Sequence, residues 1–141
     1  METANATTIT VETTVNAPVE KVWKFWNEPS HITQWCHASD DLHAPFAEND
    51  LQEGGKYTTT MAAKDGSMQF DFWGIYDRVE ENKFIAHTMG DGRKVSVKFI
   101  ADGDATKIVE QFEAENTHSA EMQKTGWQAI LDNFKKYVET H

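Results

Sequence analysis

Cysteine is nearly missing from this chain: among 141 residues only Cys36 carries a thiol. An internal disulfide framework is therefore excluded, and a reducing, cytoplasmic setting is expected. Basic residues are scarce, 13 Lys and Arg against 23 Asp and Glu, for a formal net charge of −10. Such a surface repels phosphate backbones and anionic lipid head groups, so neither nucleic acid nor a membrane is an expected partner. No apolar run approaches the roughly 20 residues that a bilayer-crossing helix needs. The first ten residues lack a basic start and an apolar block, so no signal peptide is expected. Linkers, repeats and low-complexity blocks are absent too. A chain of this length points to one domain over residues 1–141, with residues 1–6 expected to fray.

What the chain does contain is alternation, followed by one long helical stripe. Ile9, Val11, Thr13 and Val15 alternate with polar partners and predict a first strand. Asn16-Ala17-Pro18 reads as a helix start, with Asn16 as the cap, and Val19, Val22, Trp23 and Trp26 as the inward face. Pro29 ends that helix, and Ser30 to Trp35 reads as one further turn. Leu42 to Ala47 is a weak strand. Tyr57, Thr59 and Met61 alternate after Gly54-Gly55, and Phe70, Phe72, Gly74 and Tyr76 alternate after the turn signal Asp65-Gly66. Three more short strands follow, separated by Glu81-Asn82, Asp91-Gly92 and Asp102-Gly103-Asp104. From about Ser119 to Tyr137, Met122, Trp127, Ile130, Leu131, Phe134 and Val138 recur at spacings that place them on one helical face. The expected fold class is α+β: a curved antiparallel sheet of about six or seven strands gripping a long C-terminal helix, with two short helices after the first strand. A broad helix laid over a bent sheet leaves room for a hollow between them.

Several local motifs, taken in order, resemble the START-like superfamily (SRPBCC, or helix-grip, domains). Within it the chain is similar to the family related to the C-terminal domain of the activator of heat-shock protein 90 ATPase. The matching pieces are Val15-Asn16-Ala17-Pro18 with Val22-Trp23, the lone Trp35, Gly54-Gly55-Lys56-Tyr57 with Met61, Asp65-Gly66, Gly74-Ile75-Tyr76, and Gly126-Trp127 with Leu131-Asp132-Asn133-Phe134. The resemblance covers about Thr8 to Val138. It implies a deep, usually apolar cavity between long helix and sheet. Relatives include lipid carriers, hormone receptors, cyclases and co-chaperones, so the fold alone does not choose an activity. The co-chaperone's separate N-terminal domain has no counterpart in these residues, which argues against chaperone activation.

Candidate site residues follow from the pattern. Aromatic and apolar residues expected around a ligand are Trp26, Trp35, Phe46, Tyr57, Met61, Phe70, Phe72, Trp127 and Ile130. Trp73 falls on the opposite strand face and is expected outside. Glu110 is the sharpest anomaly: strict alternation points it inward between Ile108 and Phe112, where a carboxylate must find a partner or take up a proton. His37, beside Trp35-Cys36, is expected near a cavity mouth as a hydrogen-bonding group. His31, His37 and His43 show no helical spacing and no converging ligand set, so no metal or other cofactor is expected. Phe25 and Ile75 are expected to be exposed and to suit a homodimer. Three functions are compatible: a module that binds a small apolar or aromatic molecule; a cyclase- or hydrolase-type enzyme using Glu110 with His37 or Tyr57; and a heat-shock protein 90 interaction protein. The first is favoured, because catalysis needs at least two converging titratable groups and the sequence nominates only Glu110.

Overall fold

The computed structural model describes residues 7–141; the expectation for residues 1–6 lies outside them. Strand β1 (Thr8–Val15) leads into helices α1 (Val19–Asn27) and α2 (Pro29–Trp35). A meander follows: β2 (Leu42–Asn49), β3 (Lys56–Ala63), β4 (Gln69–Glu80), β5 (Phe84–Met89), β6 (Lys94–Asp102) and β7 (Ala105–Glu113). Helix α3 (Ala120–Glu139) closes the chain. The seven strands form one antiparallel sheet in the order β1-β7-β6-β5-β4-β3-β2. The fold class is the one the turn signals and the last helical stripe predict.

The turns work as their residues dictate. Gly66, Gly92 and Gly103 have φ of 80°, 92° and 63°, and Asn82 has φ 62°, so the short hairpins close in a left-handed conformation that glycine and asparagine adopt cheaply. Two bulges bend the sheet. One lies in β2 between His43 and Phe46, around Pro45, and the other in β4 between Tyr76 and Arg78. An extra residue raises local twist and curls the layer. Helix α3 packs along β1 and against α1 and α2, so one flank of the trough is filled. Val15, Val22, Ile108, Phe112, Leu131, Phe134 and Val138 are the buried heart of that contact.

Helix ends differ in their caps. Ser119 Oγ accepts the Met122 amide at 3.1 Å and starts α3. Asn16, expected to cap α1, does not: the preceding residue is Pro18 in extended geometry with no side-chain cap. The Asn16 amide instead donates to Glu139 Oε2 at 2.8 Å, tying the start of α1 to the end of α3. Phe25 also departs from expectation. It is buried, stacked on His31 at 3.9 Å between ring centroids, because α2 folds back over that side of α1. It is therefore unavailable to a dimer, whereas Ile75 and Trp73 do lie exposed on the convex face.

Candidate ligand cavity

The concave face is set by parity. Tyr57, Thr59 and Met61 on β3 pair with Gly74, Phe72 and Phe70 on β4, and all six positions face the trough. On β5 the inward positions are Ile85, His87 and Met89, and on β6 they are Val95, Val97 and Phe99. Across the trough stand Trp127, Ile130 and Leu131 of α3. Between these walls lies a cavity of about 710 Å³. Its closed end is an aromatic knot in which Trp26 sits 5.2 Å from Trp35 and 4.9 Å from Phe134. The Trp35 indole donates to the Phe25 carbonyl at 2.9 Å, which fixes its ring. Trp127 stacks on Phe112 at 3.8 Å with an interplanar angle of 10° and presents its other face inward. The mouth lies between the β3–β4 end and the first turns of α3, where Phe70 is 50% and Met122 60% exposed. Met122 therefore rims an opening and does not fill the core face on which its spacing puts it.

Polar groups inside this apolar space are few. Tyr57 Oη and His87 Nδ1 are 2.6 Å apart. Burial lowers the His87 pKa to about 4 and raises that of Tyr57, so both are neutral near pH 7 and share one hydrogen bond whose direction follows the imidazole tautomer. Gly74 makes this pair feasible, because a Cβ there would collide with the Tyr57 hydroxyl. Tyr76 donates to Asn49 Oδ1, while Asn49 Nδ2 donates to the Asn27 carbonyl at 2.6 Å. Cys36, with Sγ 3.9 Å from Met61 Sδ, has its thiol pushed up to about 12, first by burial and then by the charge of Glu110. A thiol held protonated is a poor nucleophile.

Glu110 meets no donor inside the cavity, whereas the fully buried side-chain atom left without a partner among the described residues is His37 Nδ1, outside it. The register neighbours of Glu110 are Val11 on β1 and Val97 on β6. It is 8% exposed, and among the described residues no group donates a hydrogen bond to it. Burial alone raises its pKa to about 8, with no nearby cation to oppose the shift. Arg93, at the polar end of the cavity, is already engaged by Asp91 Oδ2 at 2.8 Å and by the Glu113 carbonyl.

Of the residues nominated from sequence, Trp26, Trp35, Tyr57, Met61, Phe70, Phe72, Glu110, Trp127 and Ile130 all border this cavity. His37 and Phe46 do not. His37 lies in a separate hollow of about 210 Å³ with Asp40, Asp132 and Asn133, its Nε2 3.2 Å from Asn133 Nδ2. The chain turns outward after Trp35, so the next two residues diverge from each other. Phe46 is 47% exposed, since the β2 bulge shifts parity and pairs it with the outward Thr60. The sequence reading missed Tyr76, His87 and Cys36 as wall residues. Ile85 and Met89, apolar and of the same parity as His87, were the available signal. Among the described residues no three His, Cys, Asp or Glu side chains converge as a metal site.

Residues 16–139 match the family model described as Activator of Hsp90 ATPase homolog 1-like protein, and the chain belongs to that family. No curated protein matches it. The solution structure of the AHSA1-like protein from Aeromonas hydrophila is 43% identical, with a TM-score of 0.89 over 95% of this chain and 93% of that one. A solution structure from Cytophaga hutchinsonii is 60% identical, with a TM-score of 0.81 over 94% of this chain and 92% of the other. A protein from Nitrosomonas europaea, 14% identical, shares the fold at a TM-score of 0.80 over 94% of each chain. No helix among the described residues is long and apolar enough to cross a membrane.

Proposed function

We propose that this protein is a binding module that encloses one small, mostly apolar or aromatic molecule between the sheet and α3. Residues 1–141 act as one unit working in the cytoplasm. The observation that carries the reading is the cavity of about 710 Å³, walled by aromatic side chains and left unfilled by the protein's own atoms. Sites for small molecules commonly span about 300–1,000 Å³, with apolar walls and a few placed polar groups. Trp26, Trp35, Tyr57, Phe72 and Trp127 supply the walls; Glu110 and the Tyr57–His87 pair supply the polar groups.

The enzymatic alternative has one observation in its favour: Glu110, Tyr57 and His87 share the cavity. Against it, Tyr57 and His87 are held neutral by burial, and Cys36 is a protonated thiol. Binding requires neither Tyr57, His87 nor Cys36 to change state. The test is native mass spectrometry of the purified protein, followed by titration with the neutral dye N-phenyl-1-naphthylamine. A co-purified molecule, or saturable dye fluorescence at one site per chain, is expected. Absence of both ends the proposal, and release of a chemically altered molecule would favour the enzyme.

A further inference from the structure

We propose that the cavity selects a lipophilic amine, a molecule with an aromatic or aliphatic body and one protonated nitrogen that pairs with the Glu110 carboxylate. The inference deepens the binding reading above and rests on it. Glu110 is 8% exposed, borders the void, and meets no hydrogen-bond donor among the described residues. A neutral acceptor such as a ketone would be served by an amide or hydroxyl, neither of which carries the cost of burying an acid. A carboxyl is the group that compensates a positive charge. The surrounding rings favour the same ligand: Trp127, Phe72 and Tyr57 line the void, and aromatic rings attract cations over their faces. Anions are disfavoured by Glu110 itself and by the net charge of −10, which also draws cations toward the mouth.

Other ionisable groups facing Glu110 do not compete for the role. From the end of α2 comes the Cys36 thiol, from β3 Tyr57 and from β5 His87, and all three are neutral near pH 7. The neighbouring strands β1 and β6 present Val11 and Val97, and α3 presents Trp127, Ile130 and Leu131. At the rim, Arg93 is engaged by Asp91, and His118 faces Glu115 at 3.0 Å. Glu48 also borders the cavity but is exposed to solvent, so Glu110 is the buried acid that meets a ligand charge.

An amine arriving with its own proton displaces the one on Glu110, so binding below pH 8 releases a proton to solvent. The experiment compares 4-phenylbutylamine, 4-phenylbutanol and 4-phenylbutanoic acid, matched in body and different in head group, as competitors of N-phenyl-1-naphthylamine. The amine is expected to bind at least tenfold tighter than the alcohol at pH 8. Its affinity should rise by about tenfold per pH unit between pH 6 and 7.5 and level off above 8. Calorimetry in two buffers should show proton release at pH 6.5 and none at pH 9. In Glu110→Gln the amine preference and its pH slope should vanish while dye affinity persists. Equal displacement by alcohol and amine, or an amine affinity flat with pH, overturns the proposal and leaves the cavity reading standing. Failure of the dye itself to bind overturns both.

Discussion

Glu110 and His87 bias the stability of the fold in opposite directions as pH changes. His87 is held neutral, its pKa lowered to about 4, so the unfolded chain takes up a proton that the folded one refuses. Its effect is a loss of stability as pH falls through about 6.5 toward 4. Glu110 is an acid whose pKa is raised to about 8 in the fold, against 4.5 for the free group. The folded state then holds a proton that the unfolded state has lost, so stability falls as pH rises between those values. Between 4.5 and 6.5 the two slopes oppose each other. From about 6.5 to 8 Glu110 acts alone, because burial of Cys36 and the tyrosines matters only at higher pH. Urea unfolding of the ligand-free protein should therefore lose on the order of 1.4 kcal/mol per pH unit in that window. Glu110→Gln should abolish the slope and exceed the parent in stability at pH 8.5. A parent whose stability is flat from pH 6.5 to 8 would show that the carboxyl is solvated after all.

Among the elements, α3 carries both the core and the cavity, and Gly126 separates the two roles. A Cβ at that position would meet nothing within 4 Å, although the residue borders the void. Replacing it should stabilise the helix by up to about 1 kcal/mol, since glycine is a poor helix former. Gly126→Leu is accordingly expected to raise the melting temperature while lowering N-phenyl-1-naphthylamine affinity at least tenfold. Unchanged dye affinity would mean that the molecule does not bind beside α3. One turn earlier, Gln123 bonds the Glu115 amide and the Glu115 and His118 carbonyls, pinning the β7–α3 loop at the cavity's polar end. Gln123→Ala should cost about 1 kcal/mol in chemical denaturation, because three part-buried backbone groups lose their partner. A loss under about 0.5 kcal/mol would show that water replaces the amide.

These elements also show what pattern reading reaches and where it stops. Period and turn chemistry are local, so the hairpins at Asp65-Gly66 and Asp91-Gly92 and the stripe from Trp127 to Val138 were legible. So was the inward aim of Glu110, which needs only the alternation of Ile108 and Phe112. Bulges are not local in that sense. The extra residue near Pro45 reverses the parity of Phe46, and the one after Tyr76 breaks the count that would have carried the inward face from β4 to His87. His37 failed for a related reason: two residues after a helix end, direction is set by what the chain must reach next.

At the scale of the molecule, the trough is packed on one flank and open on the other. α3 fills the side along β1, where Phe112, Phe134 and Val138 are fully buried, and leaves β3 and β4 facing a void. A void forgoes the dispersion contacts a filled core would make, so the ligand-free fold gives up stability that a bound molecule restores. Stabilisation then follows mass action, reaching about 2.7 kcal/mol at a ligand concentration of 100 times Kd. With a melting entropy of about 2.1 cal/mol/K per residue, a chain of 141 residues converts that into a rise of roughly 9 °C. Thermal unfolding followed by far-ultraviolet circular dichroism should show this shift with N-phenyl-1-naphthylamine. It should grow with the logarithm of dye concentration in the parent and be smaller by about 4 °C or more in Gly126→Leu at the same dye concentration. A rise of equal size in that variant would place the dye elsewhere, most directly on the exposed convex-face residues Trp73 and Ile75. Lowering of the parent's melting temperature by dye would mean that the molecule prefers the unfolded chain, and that the void is not a binding site.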